Sequence, residues 1–227
     1  MKPVSSTASW RASIISSAEV KRGRFISLEG GEGVGKSTQL KRLAEALRAR
    51  GLDVVETREP GGSPGAEAIR KLLLEGEAER WTAETEALLF AAARADHVAR
   101  TIRPALERGA WVLTDRFLDS SLAYQGGAGG VGTDAIRQLH AIGSAGLLPD
   151  RTIILHLPAD AAAGRAATRD GGAADRIGGR GADYHGLVAL AFRSLAEKEP
   201  GRFRVIDAAG APEHVTDRIL ATLDDLL

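Results

Sequence analysis

A glycine-rich octapeptide that follows an apolar run places the strongest constraint on this chain. Residues 30–37 read GGEGVGKS, which fits the pattern G-x-x-x-x-G-K-[ST], and the run RFISL stands just before it. Backbone N–H groups can wrap a polyphosphate only if side chains stay clear, and a following helix adds the positive end of its dipole. The pattern therefore predicts a strand, a phosphate-binding loop and a helix; a chance match at an ordinary strand-helix turn is the weaker alternative.

Three residue positions in and after this loop predict a nucleotide·Mg²⁺ site. In such loops the lysine, here Lys36, reaches the β- and γ-phosphates, and the final hydroxyl, here Ser37, ligates Mg²⁺. The apolar run 110–114 ends at Asp115, and a carboxylate at the end of such a strand holds Mg²⁺ or its water shell. A purely structural ion pair of Asp115 is the alternative, but the loop upstream favours the metal. Mg²⁺, bound together with ATP, is the predicted cofactor.

Strand-like and helix-like segments alternate along the whole chain. The predicted strands are 24–28, 53–57, 110–114, 152–157 and 203–206. The predicted helices are 36–50, 82–108 with an interruption at Pro104, 134–142, 159–167, 187–197 and 212–226. Several strands are apolar at consecutive positions, which is typical of parallel strands covered on both faces. The prediction is an α/β fold of the P-loop NTPase type, three-layered and doubly wound, with a five-stranded parallel sheet flanked by helices and with ligands at the carboxyl ends of the strands.

Composition limits the function classes that remain. The 227 residues carry 30 basic and 30 acidic side chains, so no net field favours nucleic acid or an anionic membrane as a partner. No apolar run approaches the roughly 18 residues that span a bilayer, and the absence of cysteine fits a reducing, cytoplasmic location. The chain also has no asparagine, so it lacks the N-K-x-D guanine motif of GTPases. The function classes that remain are a kinase that phosphorylates a small acceptor and an NTPase that couples hydrolysis to motion.

The predicted domain organisation is simple. Residues 1–22 are rich in serine and basic side chains and are expected to form a disordered extension, followed by a single domain over 23–227. The glycine-rich stretches 126–132 and 171–181 are predicted to be mobile loops.

Four sequence blocks in a fixed order carry a resemblance to one family. They are GGEGVGKSTQ (30–39), TREPGG (57–62), LLFAAARADH (88–97) and DRFLDSSLAYQGG (115–127), with a weaker fifth block, DRI, at 175–177. With these blocks the chain resembles the bacterial thymidylate kinases, which are P-loop nucleoside-monophosphate kinases. The resemblance runs from about residue 24 to the C-terminus. It implies transfer of phosphate from ATP·Mg²⁺ to dTMP, and it implies a homodimer.

The resemblance also implies an acceptor site, which the residue chemistry supports in part. Guanidinium presents two parallel donors to a phosphate, so Arg58 is expected to clamp the acceptor, the alternative being a surface pair with Glu59. Phe90 and Arg94 stand four apart on one helix face and are expected to stack on thymine and to contact a base carbonyl. The alternative for Phe90 is an ordinary core position.

Further acceptor roles rest on the resemblance alone. Glu32 is expected to accept a hydrogen bond from the 3′-hydroxyl, and Arg116 to bind the acceptor phosphate. Ser121 is expected to face the base. Tyr124, supported by Gln125, is expected to lie beside the 2′ position and disfavour ribose. The remaining residues of this block, Asp119 and Ser120, are predicted only to cap a short helix.

A lid is expected over residues 164–184, where the resemblance assigns catalytic arginines. They are Arg165 and Arg169, which join Lys36 and Arg116 in the catalytic set, while Arg176 belongs to the DRI block; a disordered basic linker is the alternative. ATP binding is expected at Gly30, Gly31, Glu32, Gly33, Val34, Gly35, Lys36, Ser37 and Thr38. Two other functions stay open: a different P-loop nucleotide or deoxynucleoside kinase, and a non-catalytic ATP-binding P-loop protein.

Overall fold

Five parallel strands form one sheet in this computed structural model, which describes residues 22–77, 79–158, 161–162, 164–165 and 175–227. The strand order across the sheet is β2-β3-β1-β4-β5. The strands are β1 (Phe25–Glu29), β2 (Val54–Arg58), β3 (Trp111–Asp115), β4 (Arg151–His156) and β5 (Phe203–Asp207). All five predicted strands are present within a residue or two of their predicted bounds, and the predicted α/β fold is confirmed.

Helices follow the strands on both faces of the sheet. They are α1 (Lys36–Ala49), α2 (Pro64–Leu74), α3 (Ala83–His97), α4 (Arg103–Glu107), α5 (Leu118–Ser121), α6 (Thr133–Ser144), α7 (Ala182–Lys198) and α8 (Pro212–Ala221). π-Helical segments connect α3 to α4 (Val98–Ile102) and continue α5 (Leu122–Ala128). Within the described ranges, no helix has both the length and the apolar character that a membrane crossing needs.

The sheet separates two apolar layers because successive side chains of a strand point to opposite faces. On one face Ile26 and Leu28 of β1 pack with Leu43 of α1 and Ile219 of α8. On the other face Phe25 belongs to the layer that includes α3, α6 and α7. Covering both faces explains why the three central strands β3, β1 and β4 are buried almost throughout, whereas the outer strands β2 and β5 are partly exposed.

Strand register brings the functional segments to one edge of the sheet. Leu28 of β1 is paired with Asp115 of β3, and Asp115 is in turn paired with Arg58 of β2. From β1 the chain passes β3 to reach β2, and from β3 it passes β1 to reach β4. These two connections run in opposite directions, so a crevice opens at the carboxyl ends of β1 and β3. The segments after the three strands β1, β2 and β3 therefore meet there.

The long helix predicted over 82–108 is present as one continuous helical run, and a π-helical turn precedes Pro104 where an interruption was expected. α3 ends at His97, and a π-helical turn, Val98–Ile102, leads into α4. Proline lacks an N–H and its ring clashes with the carbonyl four residues earlier, so the wider turn before it relieves both problems while Pro104 occupies the first turn of α4. The predicted helix 159–167 lies mostly outside the described residues.

From the sequence one helix was missed, and one loop was predicted wrongly. α2 was not predicted, although Ser63 and Pro64 stand at its N-cap and first turn. The glycine-rich stretch 126–132 is not simply a mobile loop, because Gly126 is buried in the π-helical segment, where a Cβ would lie 3.3 Å from Ile136 of α6. Glycine permits that close approach. The part of 171–181 that is described includes Arg176, whose side chain is fully buried.

Candidate active site

The phosphate loop joins β1 to α1, as predicted. Gly30 has a positive φ of 131°, and a Cβ there would lie 2.4 Å from the Leu155 carbonyl oxygen, so only glycine fits. Lys36 begins α1 and turns its ammonium back into the loop, where Nζ donates to the carbonyl oxygens of Gly31 at 2.6 Å and Gly30 at 3.2 Å. Burial, followed by the charge of Arg116, lowers the pKa of Lys36 to about 8. The lysine is thus held at the position from which it can reach a bound polyphosphate.

Ser37 and Asp115 are in direct contact beneath this loop. The Ser37 hydroxyl donates a 2.6 Å hydrogen bond to Asp115 Oδ2. Both are hard oxygen groups of the kind that Mg²⁺ prefers. In the described part of the chain, no cluster of three or more His, Cys, Asp or Glu side chains is arranged to hold a metal by itself. This pair fits an Mg²⁺ ion that takes most of its ligands from nucleotide phosphates and water.

Arg116 lies at the centre of the crevice. Its backbone φ is 71°, which is uncommon for a residue other than glycine. Its guanidinium donates to Glu32 Oε1 at 2.5 Å, to the Gly30 carbonyl oxygen at 3.0 Å and to Ser120 Oγ at 3.1 Å, and it lies 5.1 Å from the centre of the Tyr124 ring. The Arg116 guanidinium therefore compensates the negative charge that Glu32 brings into the phosphate-binding loop.

Arg58 and Arg70 supply positive charge on the opposite side. Arg58 is 56% exposed and pairs with Glu67 of α2 at 3.1 Å, so the alternative partner considered for it, Glu59, was wrong. Arg70, also on α2, lines the same crevice and donates to the Pro60 carbonyl oxygen at 2.6 Å. Arg70 was missed because it lies on α2, a helix that was not predicted, and no sequence motif includes it.

Arg94 is buried in a polar network between α3 and the β3–α5 turn. Its Nε donates to Glu59 Oε2 at 2.7 Å, and Nη2 donates to Ser121 Oγ at 2.8 Å and to the Phe117 carbonyl oxygen at 3.3 Å. Burial alone would raise the pKa of Glu59, but Arg94 and His97 outweigh burial and lower it. Glu59 is therefore an ionised anchor for Arg94. Nη1 of Arg94 makes no hydrogen bond to any described residue.

Tyr124 and Gln125 form the wall opposite Arg94. Tyr124 is 4% exposed, and its hydroxyl makes no hydrogen bond to the described residues. The Gln125 amide Nε2 donates to Glu86 Oε1 at 2.9 Å. Glu86 also accepts from Arg176 at 2.5 Å and from Arg180 at 2.7 Å. One buried carboxylate thus joins α3, the Tyr124–Gln125 wall and the segment that the DRI block occupies, so Arg176 has a structural partner here.

Asp119 and Ser120 do not cap the short helix α5, contrary to the sequence prediction. The N-cap residue is Phe117, and no side chain caps this end. Asp119 is fully buried and accepts from both terminal nitrogens of Arg202 at 2.6 and 2.9 Å. Ser120 donates to Glu29 Oε2 at 2.5 Å. Both side chains therefore fasten α5 to the sheet.

These groups line one cavity of about 910 Å³, which lies within the usual range for small-molecule sites. Most sequence-predicted site residues contribute to its wall. They are Glu32, Gly33, Val34, Gly35, Lys36, Ser37, Thr38, Arg58, Phe90, Arg94, Asp115, Arg116, Ser121, Tyr124, Gln125 and Arg165. Gly30 and Gly31 shape the loop without lining the cavity, and Arg169 lies outside the described residues. The residues that sequence reasoning missed include Arg70, Leu74, Asp175 and Ile177.

Comparison with known proteins agrees with this geometry. The family model for thymidylate kinase matches residues 28–219. The chain belongs to the thymidylate kinase family. A thymidylate kinase from Rhizorhabdus wittichii is 67% identical over 205 residues, covering 90% of this chain and 99% of the relative. One from Caulobacter vibrioides is 52% identical over 200 residues, covering 87% and 94% respectively.

A solved structure extends the agreement to the fold. The crystal structure of thymidylate kinase from Ehrlichia chaffeensis superimposes with a TM-score of 0.72 at 31% sequence identity, and the match covers 89% of this chain and 99% of that one. The family resemblance drawn from the four sequence blocks is thereby confirmed. As a member of the thymidylate kinase family, the chain is a phosphotransferase.

Proposed function

We propose that this thymidylate kinase transfers the γ-phosphoryl group of ATP to dTMP within the described cavity, giving dTDP and ADP for dTTP biosynthesis. The observation that carries the proposal is the joint lining of one cavity by the phosphate loop and by the acceptor residues Phe90, Arg94 and Tyr124. A nucleotide donor and a monophosphate acceptor would then meet beside Arg116. In the reaction a phosphate oxygen of dTMP bonds to the γ-phosphorus as the bond to the β,γ-bridging oxygen breaks.

The donor side depends on the loop and the first turn of α1. Backbone N–H groups of the loop and the Lys36 ammonium bind the phosphates of ATP, and Ser37 and Asp115 hold Mg²⁺ or its water shell. When bound, Mg²⁺ neutralises charge on the β- and γ-phosphates. The 2.6 Å contact between Ser37 and Asp115 supports this assignment, because it places two hard oxygen groups together at the mouth of the loop.

The acceptor phosphate is bound by arginines. Arg116 has its guanidinium fixed on Glu32, Gly30 and Ser120, and Arg58 stands across the crevice in an exposed pair with Glu67. A phosphate competes well for guanidinium because it accepts two parallel hydrogen bonds. The acceptor oxygen is already ionised, so positioning and charge compensation carry the catalysis and no strong general base is needed.

The base is bound between α3 and the Tyr124 wall. Phe90 stacks on thymine. The Nη1 group of Arg94, which has no hydrogen-bond partner in the described chain, donates to a base carbonyl. Ser121 lies next to the same guanidinium. Tyr124, with Gln125 behind it, excludes a ribose 2′-hydroxyl. Glu32 accepts from the 3′-hydroxyl. Arg165, which lines the donor end of the cavity, and Arg169 compensate charge on the transferred group.

Assembly and location are also part of the proposal. Leu88 of α3 and Ile142 of α6 are 55% and 85% exposed, and these two helices lie side by side, with a Cβ at Gly143 only 3.2 Å from Ala95. We take this face to be the contact of a homodimer in the cytoplasm. Sedimentation velocity at micromolar concentration is expected to give a dimer, and Ile142→Asp is expected to give a monomer.

An acceptor screen tests the proposed function. ADP release from Mg²⁺-ATP would be measured with dTMP, dUMP, AMP and thymidine. We expect dTMP to be the best substrate and dUMP to be poorer by about 10- to 200-fold in kcat/KM, as for the loss of one methyl group in an apolar pocket. Lys36→Met is expected to abolish turnover, whereas Lys41→Met, on the exposed side of α1, should retain it.

The same screen distinguishes the remaining alternatives. Efficient turnover of AMP or thymidine without turnover of dTMP would identify a different P-loop kinase. ATP binding without transfer to any of the four acceptors would indicate a non-catalytic ATP-binding protein.

A further inference from the structure

Glu29 is a fully buried carboxylate just outside the cavity wall. It is the last residue of β1, and its side chain is 0% exposed. Oε1 accepts hydrogen bonds from the Ser27 hydroxyl at 2.7 Å and from the Phe117 backbone N–H at 2.8 Å, and Oε2 accepts from the Ser120 hydroxyl at 2.5 Å. Burying a carboxylate is costly unless it is well hydrogen-bonded, so a polar group in this place needs an explanation beyond packing.

Two of its three donors belong to the segment that presents Arg116. Ser120 donates its hydroxyl hydrogen to Glu29, which leaves the Ser120 oxygen lone pairs to accept from Arg116 Nη1 at 3.1 Å. Burial, followed by the charge of Asp119, raises the pKa of Glu29 to about 7. Above that pH the carboxylate is ionised and only accepts hydrogen bonds, so Glu29 fixes the direction of the Ser120 hydroxyl. The guanidinium therefore finds an acceptor in a fixed place.

The other contact acts on the backbone. Arg116 has a φ of 71°, a left-handed conformation that is unfavourable for a residue with a side chain. The next peptide N–H, that of Phe117, is held by Glu29, while the Arg116 N–H donates to the Leu28 carbonyl oxygen at 3.0 Å. The strained turn is thus fixed on both sides of Arg116, once by the backbone and once by Glu29.

We infer that Glu29 is a positioning residue for phosphoryl transfer, which fixes the Arg116 guanidinium towards the acceptor phosphate through the Ser120 hydroxyl and the Phe117 amide. The inference rests on the proposed function, because it takes Arg116 as the group that binds the acceptor. Glu29 itself does not line the cavity and touches no reacting atom.

The chain contains a matched pair of serines for the test. Ser27 and Ser120 each donate one hydrogen bond to Glu29, but only Ser120 contacts Arg116. KM for dTMP, KM for ATP, kcat and melting temperature would be measured for Ser27→Ala and Ser120→Ala. Removing a hydrogen bond to a charged group typically changes an equilibrium by about tenfold or more.

The expected result separates acceptor binding from stability. Ser120→Ala should raise KM for dTMP about tenfold and leave KM for ATP within about twofold of wild type. Ser27→Ala should lower the melting temperature by about as much as Ser120→Ala does. It should leave KM for dTMP unchanged. Equal kinetic effects of the two variants would overturn the inference, since they would show that only the carboxylate's stability contribution counts.

Two further variants keep the test decisive. Glu29→Gln keeps the size of the side chain but turns a donating N–H₂ towards Ser120 or Phe117, so KM for dTMP should rise as in Ser120→Ala; an unchanged KM would overturn the inference. Should Ser27→Ala fail to fold, Ser27→Thr, which keeps a hydroxyl beside Glu29 and makes no contact with Arg116, replaces it as the variant expected to retain the wild-type KM. A wild-type enzyme inactive on dTMP would refute the proposed function instead, a result distinct from the variant comparison.

Discussion

Ser37 and Asp115 are 78 residues apart in the chain, yet the serine hydroxyl donates a 2.6 Å hydrogen bond to the aspartate Oδ2. The contact exists because β1 and β3 are adjacent and parallel, so that the loop after one and the last residue of the other share the same edge of the sheet. It defines the position at which a divalent cation would meet both groups.

We expect Asp115→Asn to raise the Mg²⁺ concentration required for half-maximal activity by about 10- to 100-fold, because an amide keeps the shape but loses the anionic charge. Turnover of dTMP would be measured against free Mg²⁺ at fixed ATP. Asp53→Asn provides the control, since Asp53 forms an exposed pair with Arg108 at the opposite end of the sheet. A variant at Asp115 with wild-type Mg²⁺ dependence would contradict the assignment.

Tyr124 gives a prediction about the sugar. The ring is buried against Tyr184 and Phe192, at centroid distances of 6.2 and 6.3 Å, so its position is fixed by aromatic packing. Tyr124→Ala should raise the ratio of UMP to dUMP turnover, since removal of the ring opens space beside the 2′ position. The ratio is the quantity to measure, because lost packing will also lower stability by about 3–5 kcal/mol. Tyr124→Phe keeps the bulk and should keep the wild-type ratio; a ratio that stays constant in Tyr124→Ala would refute the role.

Local pattern explains which parts of this architecture the sequence could predict. The strands, the loop at Gly30 and the helix at Lys36 are each specified by neighbouring residues, through apolar runs, glycine positions and a helix start. Asp115 was predictable because it ends an apolar strand. α2 was not predicted, because Gly65 lowers the helix propensity of its first turn, even though Ser63 and Pro64 form a helix start signal.

Contacts between distant segments could not be predicted in this way. Glu86 and Arg176 are 90 residues apart, and neither carries a local signal for the other. Glu29 was assigned no role because its partners, Phe117 and Ser120, are about 90 residues away. For such residues the sheet register decides which side chains meet, and the register follows from the whole fold.

The Glu86 network gives a prediction about stability. Glu86→Gln removes the negative charge that faces the buried guanidinium of Arg176 and the partly exposed one of Arg180. Breaking one side of a buried ion pair typically costs about 3–5 kcal/mol, and we expect an unfolding free energy lower by that order in urea titration. Glu84→Gln, two residues earlier on the exposed side of α3, should change it by less than about 0.5 kcal/mol. Equal stability of the two variants would contradict the buried network.

His140 makes stability depend on pH in a defined direction. Burial, followed by the charge of Arg94, lowers the pKa of this imidazole from 6.5 to about 4, and its Nε2 lies 2.7 Å from the Leu147 carbonyl oxygen. The unfolded chain therefore takes up the proton at a higher pH than the folded chain, so stability is present above about pH 6.5 and is lost as the pH falls towards 4. Between pH 7.5 and 5 we expect a loss of about 2 kcal/mol from this group in urea unfolding.

His140→Gln keeps a donor to Leu147 and should lose this component of the pH dependence, whereas His214→Gln, on the exposed face of α8, should retain it. A wild-type pH dependence in His140→Gln would show that another group is responsible.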